Sequence, residues 1–508
     1  MNQLPLWGEA APATRTSIRQ LSKSRVAAGL QCHKRLYFDC YAHSTRDPID
    51  ASRQALFDAG RQVGIEARER YPGGALMVDD PLRHDEAACA TREAMRNPGV
   101  PAVYEAAFTF ADIRVRIDIL ARTGDGGWDV VEVKSSKQVK EEYLPDIAVQ
   151  LYVAEGAGVP VRQVCVLHLN GDYVWEGGPY DHQALFALRP LTGEARGKIP
   201  DLLGRVASMR TVLWGLDPPD IAVGSHCDRP HRCPFYTTCH ADGPEHPIDD
   251  LPRMTPLLRR KLGALGILDI REIPEDFDGL SALQRRVRDC LVRGEPFVDP
   301  ELSRELKSLP YPVHFLDFES CSLPLPVIPG TRPFQQTPFQ WSDHVLMADG
   351  RSVHREYLHD SRTDPRRALA EALLRSLDGA ASIVVYSGFE EHIMRALAGG
   401  LSDLSAPLLE HVETRFVDLL HLIRSHYYHP RLRGSFSIKD VLPVVVEGIG
   451  YDDLSIRDGS QAALAFSAIT DPRLPPEERD RLRECLRAYC ERDTEAMMGL
   501  FLKLRECA

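Results

Sequence analysis

The sequence has no apolar run long enough to cross a membrane. Its longest, SIVVYSGF and DVLPVVVEGIGY, fall far short of the ~20 residues that a spanning helix needs. The first residues, MNQLPLWGEAAPATRTS, lack a basic stretch leading into an apolar one, so no secretory signal is read there. A cytoplasmic location without a membrane partner is expected. Aromatic residues are sparse at 7%, and bases are outnumbered, with 61 Lys and Arg against 73 Asp and Glu. The net charge of −12 excludes attraction to polyanions by bulk charge. It does not exclude nucleic acid, because local clusters and bridging cations set the field at a contact. Such clusters occur at LLRRKL, QRRVRD and YHPRLRGSFSIK, each of which singly reads as a solvated surface.

Cysteine, by contrast, is plentiful: twelve in 508 residues. Disulfides are rare in the cytoplasm, so that number asks for another use. Cys89, Cys165, Cys290, Cys321, Cys485, Cys490 and Cys507 are scattered and read as packing residues. Cys227, Cys233 and Cys239 are not scattered; they stand in HCDRPHRCPFYTTCH with five residues between each pair.

At ~150 residues per domain the length suggests about three domains, in an α/β chain. Residues 1–15 read as a disordered tail. A helical pattern begins in SIRQLSKSRVAAGLQCHKRLYFDCY and another fills ASRQALFDAGRQVGIEARERY. Strand patterns follow at VYEAAFTF, IRVRIDILA and WDVVEVKSS, then a helix, DIAVQLYVAEGAG, and a strand, VRQVCVLHLN. The expected boundaries are 16–245, a helical linker over 246–308, and an α/β unit over 309–508. Within the linker, LGALGILDIREIP resembles a helix-hairpin-helix core.

The turn TGDGG centres on Asp125, and Asp118 and Glu132 each lie seven residues from it. A symmetric hairpin makes those two carboxylates cross-strand partners on one face, with Lys134 beside them. Like charges directly opposite destabilise a sheet unless a cation sits between them. The D-x13-E-x-K pattern resembles the PD-(D/E)xK nuclease core, in its RecB-like branch. That resemblance implies a restriction-endonuclease-like fold, Mg²⁺ or Mn²⁺ held by Asp118 and Glu132, and Lys134 orienting or activating the attacking water. It adds Glu105 on the preceding strand as an acidic metal ligand and Gln150 as the helical glutamine. The upstream histidine common in the family is not evident; Glu66 in GRQVGIEAR stands in its place.

Three even cysteines need a fourth ligand to close a zinc or iron–sulfur site. RecB-like nucleases with a 4Fe-4S cluster take one cysteine before the core and three after it. The resemblance therefore implies Cys32, Cys227, Cys233 and Cys239 as cluster ligands. Zinc is the alternative, with His226, His231 or His240 as substitutes, and Cys40 is an alternative first ligand.

Near the other end, HFLDFES places Asp317 and Glu319 on one strand face. Farther on, YCERDTEAM carries Tyr489 and Asp493 at helical i, i+4 spacing. The order resembles DnaQ-like (DEDD) exonucleases of ribonuclease H fold, with Glu390 in VVYSGFEEHIM where that family has Asp. The resemblance implies metal held by Asp317, Glu319, Glu390 and Asp493, with Tyr489 positioning the water. Asp418 matches a supporting acidic residue, and SFSIKDVLP a helix start of the family. Nearly the whole chain resembles a bacterial family of unknown function in which these two nuclease-like modules are fused. The function implied is a metal-dependent nuclease that hydrolyses phosphodiester bonds of DNA or RNA, in an exonucleolytic mode, with DNA expected ahead of RNA as the partner. The alternatives are a nucleic-acid-binding scaffold that no longer cleaves, and a hydrolase of nucleotides or other small phosphate esters.

Overall fold

The computed structural model describes residues 20–78 and 80–507; the N-terminal tail expected over 1–15 lies outside them. The protein is mixed α/β, and its two large sheets have seven and five strands. No described helix is long and apolar enough to cross a membrane. The chain divides into two compact units, one running to Asp242 and including Arg332–Phe334, the other taking Gly243–Thr331 and the residues from Gln335 onward.

In the first unit the strands are β1 (Leu21–Ser22), β2 (Ala75–Leu76), β3 (Ala102–Phe110), β4 (Ile113–Arg122), β5 (Trp128–Lys134), β6 (Val161–Leu169) and β7 (Phe186–Pro190). They are ordered β2-β3-β4-β5-β6-β7, with β1 pairing parallel to the start of β4. β4 alternates as a half-buried strand should: Ile113, Val115, Ile117 and Ile119 are buried, while Arg114, Arg116 and Asp118 are less so. The β4–β5 turn is braced by Asp125, which accepts hydrogen bonds from Thr123 Oγ1 and Arg162 Nε, both at 2.6 Å. Those bonds hold the exposed Asp125 carboxyl down to about 2. Asp125 is thus a turn residue.

Four helices position the site. α1 (Lys23–Gln31) starts at Ser22, whose hydroxyl caps Arg25 N at 3.2 Å. Sequence periodicity runs on without a stop, yet the helix breaks at Cys32, which is extended, and α2 (His33–Tyr41) begins after it. α3 (Ala51–Arg68) packs against β5. α4 (Leu144–Gly156) packs against β3, β4 and β6 and is buried over most of its length, Gln150 included.

The second unit holds a sheet of β9 (Val313–Cys321), β10 (Thr337–Leu346), β11 (Ser352–Leu358), β12 (Ser382–Val385) and β13 (Phe416–Asp418); β8 is the short Phe297–Val298 outside it. The order is β11-β10-β9-β12-β13, antiparallel among the first three and parallel from β9 to β13. A 29-residue helix, α5 (Pro476–Leu504), packs across β9 and β10, with Phe501 edge-on to Phe315 at 5.3 Å. In the 246–308 segment, the helix Pro256–Ala264 ends in a left-handed Gly266. A single 3-10 turn, Ile270–Glu272, follows instead of a second α-helix. Pro274 just beyond it bars helical continuation, and the next helix begins only at Ala282. This segment belongs to the same compact unit as the C-terminal sheet.

Candidate functional sites

The β3–β4 register runs Tyr104↔Ile119 and Ala106↔Ile117, and the β4–β5 register runs to Ile119↔Val131. Carried one step, these place Glu105 opposite Asp118 and Asp118 opposite Glu132. Three carboxylates therefore form a row across adjacent strands. Glu105 sits at a φ of 55°, a left-handed conformation that is costly for a side chain with a Cβ in mid-strand. Such strain gathers at functional sites and is held by its surroundings. Here Arg68 Nη2 grips Glu105 Oε1 at 2.9 Å.

Glu132 is the hub. Lys134 Nζ donates to its Oε1 at 2.9 Å, and Gln150 Nε2 donates to its Oε2 at 2.7 Å. Lys134 also reaches Asp146 Oδ2 at 2.7 Å. Asp118 accepts the backbone N–H of Val133 at 2.7 Å. Lys23 was not singled out in the sequence, yet its Nζ lies 3.1 and 3.0 Å from the two Glu132 oxygens. Burial alone would raise the Glu132 carboxyl, but Lys23, Lys134 and Gln150 hold it well below its usual range. Asp118 moves the other way, pushed up to about 7 by burial and by Glu132. The two carboxyls are thus driven apart in acidity. Glu66, which sequence reading sets at the place of an expected upstream histidine, pairs with His182 Nε2 at 2.8 Å. Gln150 Oε1 is buried with no hydrogen-bond partner, an acceptor left over in a site of acceptors.

Cys32, Cys227, Cys233 and Cys239 line one small pocket, together with Lys34 and Arg35. Cys32 comes from the α1–α2 break, Cys227 from a 3-10 turn, and Cys239 from the short helix Tyr236–His240. Cys233 N donates to Cys227 O at 2.6 Å, which folds the loop back on itself. Gln31 ties this loop to α1, its Nε2 donating to His226 O at 2.7 Å and His231 O at 2.8 Å. Burial pushes the Cys233 and Cys239 thiols up, and neighbouring cysteines add to the shift. Cys40 is not among the pocket's residues and packs against the hydrophobic core of the first unit.

In the second unit Asp317, Glu319 and Asp493 each offer a ligand atom within 4.8 Å of the others. The alternation of β9 explains the pair: Leu316 and Phe318 join the core on one face, leaving Asp317 and Glu319 to the other. A register shift opposite Glu319, between Pro338 and Gln340, marks a bulge at this point. Helix α5 supplies Asp493 one turn after Tyr489, and both line an open pocket of about 540 Å³ with Asp317, Glu319 and Glu390. Glu390 stands outside the tight trio. Its Oε2 is buried without a hydrogen-bond partner, which fits a cation ligand.

Two further groups at this site escaped sequence reasoning. Tyr451 donates its hydroxyl to Asp493 Oδ1 at 2.5 Å, although 42 residues separate them. Cys490, which sequence alone assigns to packing, is buried with its thiol 3.6 Å from Asp317 Oδ2. Lys439, in the SFSIKDVLP segment, donates to Tyr489 Oη at 3.2 Å. Asp418 caps the helix that follows β13 by accepting His421 N at 2.8 Å.

A family model described as "Domain of unknown function (DUF2779)" matches residues 314–437. The matched stretch contains Asp317, Glu319, Glu390 and Asp418, and stops short of Lys439, Tyr489 and Asp493. No curated protein matches the chain.

The acidic pocket predicts a pH dependence of stability. Burial, with mutual repulsion, raises Asp317 and Glu319 well above their usual range. Glu390 is pushed up to about 7 and Asp493 to about 6, burial being the largest cause for each. A carboxyl raised in the folded state favours folding while protonated and opposes it once ionised. Metal-free protein should therefore lose thermal stability as pH rises from about 4 to about 7. Glu132, whose carboxyl is depressed, has the opposite sign and loses its contribution only on acidification below the usual carboxylate range. Adding Mn²⁺ at pH 8 should restore several degrees of melting temperature, and much less at pH 5. Melting curves over this grid check it; equal Mn²⁺ gains at both pH values would contradict it.

Proposed function

We propose that the chain is a metal-dependent nuclease with two phosphodiester-cleaving centres, one in each unit. The observation that carries this is the Glu105–Asp118–Glu132 row with Lys134 and Gln150 converging on Glu132. A surface ion pair would not need a strained strand residue, a buried glutamine and two lysines at one carboxylate. The PD-(D/E)xK resemblance accounts for all of these except Lys23. In the second unit, three carboxylates within reach of one ion, with Glu390 and Tyr489 on the same pocket, support a DnaQ-like centre.

Divalent cations held at these carboxylates would polarise a phosphoryl oxygen and lower the pKa of a bound water. The chain's own groups do the rest. Asp118 and Glu132 would hold the ion of the first centre, with Glu105 behind them. Lys134 would orient or activate the attacking water, and Gln150 fixes the Glu132 carboxylate. In the second centre Tyr489 orients the water, while burial keeps its phenol protonated. Tyr451 fixes the orientation of Asp493 through its hydroxyl.

Nucleic acid, DNA ahead of RNA, is the proposed substrate. Incubating the full chain with Mg²⁺ or Mn²⁺ and labelled single- and double-stranded DNA and RNA should give chelator-sensitive cleavage. Cleavage of nucleotides alone, with every polymer intact, would move the assignment to small phosphate esters.

The four cysteines are proposed to carry a 4Fe-4S cluster. One pocket gathers four cysteines from near both ends of the first unit, the ligand number that a 4Fe-4S cluster needs. Anaerobically purified protein should be brown, and Cys233→Ser should bleach it and lower the melting temperature. A colourless wild type with stoichiometric zinc would overturn the assignment.

A further inference from the structure

Lys23 enters the first site from outside the three central strands. It is the first residue of α1, delivered by the pairing of β1 with β4 at Leu21↔Ile113. Its Nζ touches both oxygens of Glu132, at 3.1 and 3.0 Å, and lies 4.0 Å from Asp118 Oδ1. An ammonium therefore stands between the two carboxylates that the proposed nuclease chemistry assigns to a divalent ion. The neighbouring cations are engaged elsewhere as well, Lys134 by Asp146 and Arg68 by Glu105. Lys23 is the cation that reaches from Glu132 toward Asp118.

Resting on the nuclease assignment, we infer that Lys23 is a resident counter-ion of the Asp118–Glu132 pair that yields to the divalent cation. Two cations cannot share one pair of carboxylates at these distances without strong repulsion. The lysine can leave because its side chain is flexible and 23% exposed. The helix beneath it stays in place: Gln31 at the other end of α1 is bound to the cysteine loop. Exchange is thus a side-chain movement at the first turn of α1. In metal-free protein the lysine keeps two like charges from facing each other unscreened, and in the loaded site it is released toward the incoming phosphate.

The test is Mn²⁺ binding by calorimetry, with bound Mn²⁺ counted by paramagnetic resonance. The full chain carries Asp317→Asn and Glu319→Gln so that only the first site is read. Against that background, Lys23→Met removes the charge at similar length and should tighten Mn²⁺ binding roughly tenfold or more. Lys23→Arg, which keeps the charge, should not tighten it, and Glu132→Gln should abolish it. If the background binds Mn²⁺ through Glu132 but Lys23→Met binds equally or more weakly, the counter-ion role is overturned and the metal site stands. If neither binds, the metal site itself is lost and the inference with it. If only Lys23→Met binds, Lys23 does not yield to the cation and the inference is overturned. A Lys23→Met chain that fails to fold is replaced by Lys23→Gln, read in the same way.

Discussion

Lys134→Ala is expected to lower hydrolysis by the first centre by about 10²–10⁴-fold, the range for losing one positioned acid–base or charged group. The same change should leave the fold intact. Lys134 Nζ holds Glu132 at 2.9 Å and Asp146 at 2.7 Å, and it lies over the Tyr143 ring at 5.0 Å. Glu132 keeps Lys23 and Gln150 after the substitution, so no buried carboxylate is stranded. Asp146 is a quarter exposed and can turn to water. A stability loss of about 1–3 kcal/mol is therefore expected, far less than unfolding. Rates measured in an Asp317→Asn background, with melting curves beside them, separate the two effects. A variant as active as its background would remove Lys134 from the chemistry.

Asp317→Asn should act on the second centre with opposite signs on activity and stability. The substitution removes one of the three carboxylates that meet within 4.8 Å, and hydrolysis there should fall by about 10²-fold or more. Metal-free protein at pH 8 should nevertheless become more stable by several degrees. Burial and the Asp493, Glu319 and Glu390 charges all oppose ionisation of Asp317, and asparagine of the same shape carries none of that cost. The Cys490 thiol keeps a polar neighbour at 3.6 Å. A parallel loss of activity and stability would instead mark Asp317 as a structural residue.

What could be read from the chain, and what could not, follows from sequence distance. The β4–β5 hairpin was legible because TGDGG can hardly do anything but turn, and the observed register follows the equal spacing about Asp125. Asp317 and Glu319 were legible as neighbours because strand alternation needs only two residues. Tyr489 and Asp493 needed only one helical turn. Lys23 was not legible: it lies 109 residues from Glu132 and arrives through a two-residue parallel strand. Tyr451 likewise reaches Asp493 from a segment without regular structure. The break at Cys32 had no proline or glycine to announce it. It is imposed by tertiary contacts that bring this cysteine beside three others about 200 residues away. Cys32, Cys227, Cys233 and Cys239 line one pocket, a gathering that their spacing alone does not dictate.

The proposed nuclease has two separate hydrolytic centres in one chain. The most direct measurement compares cleavage of labelled DNA by wild type, Lys134→Ala, Asp317→Asn and the double variant, each purified without oxygen and supplied with Mn²⁺. Each single variant should retain the other centre's activity and its characteristic products, while the double variant should be inert. A double variant that cleaves like wild type, or a wild type as inert as the double variant on every polymer, would contradict the proposal.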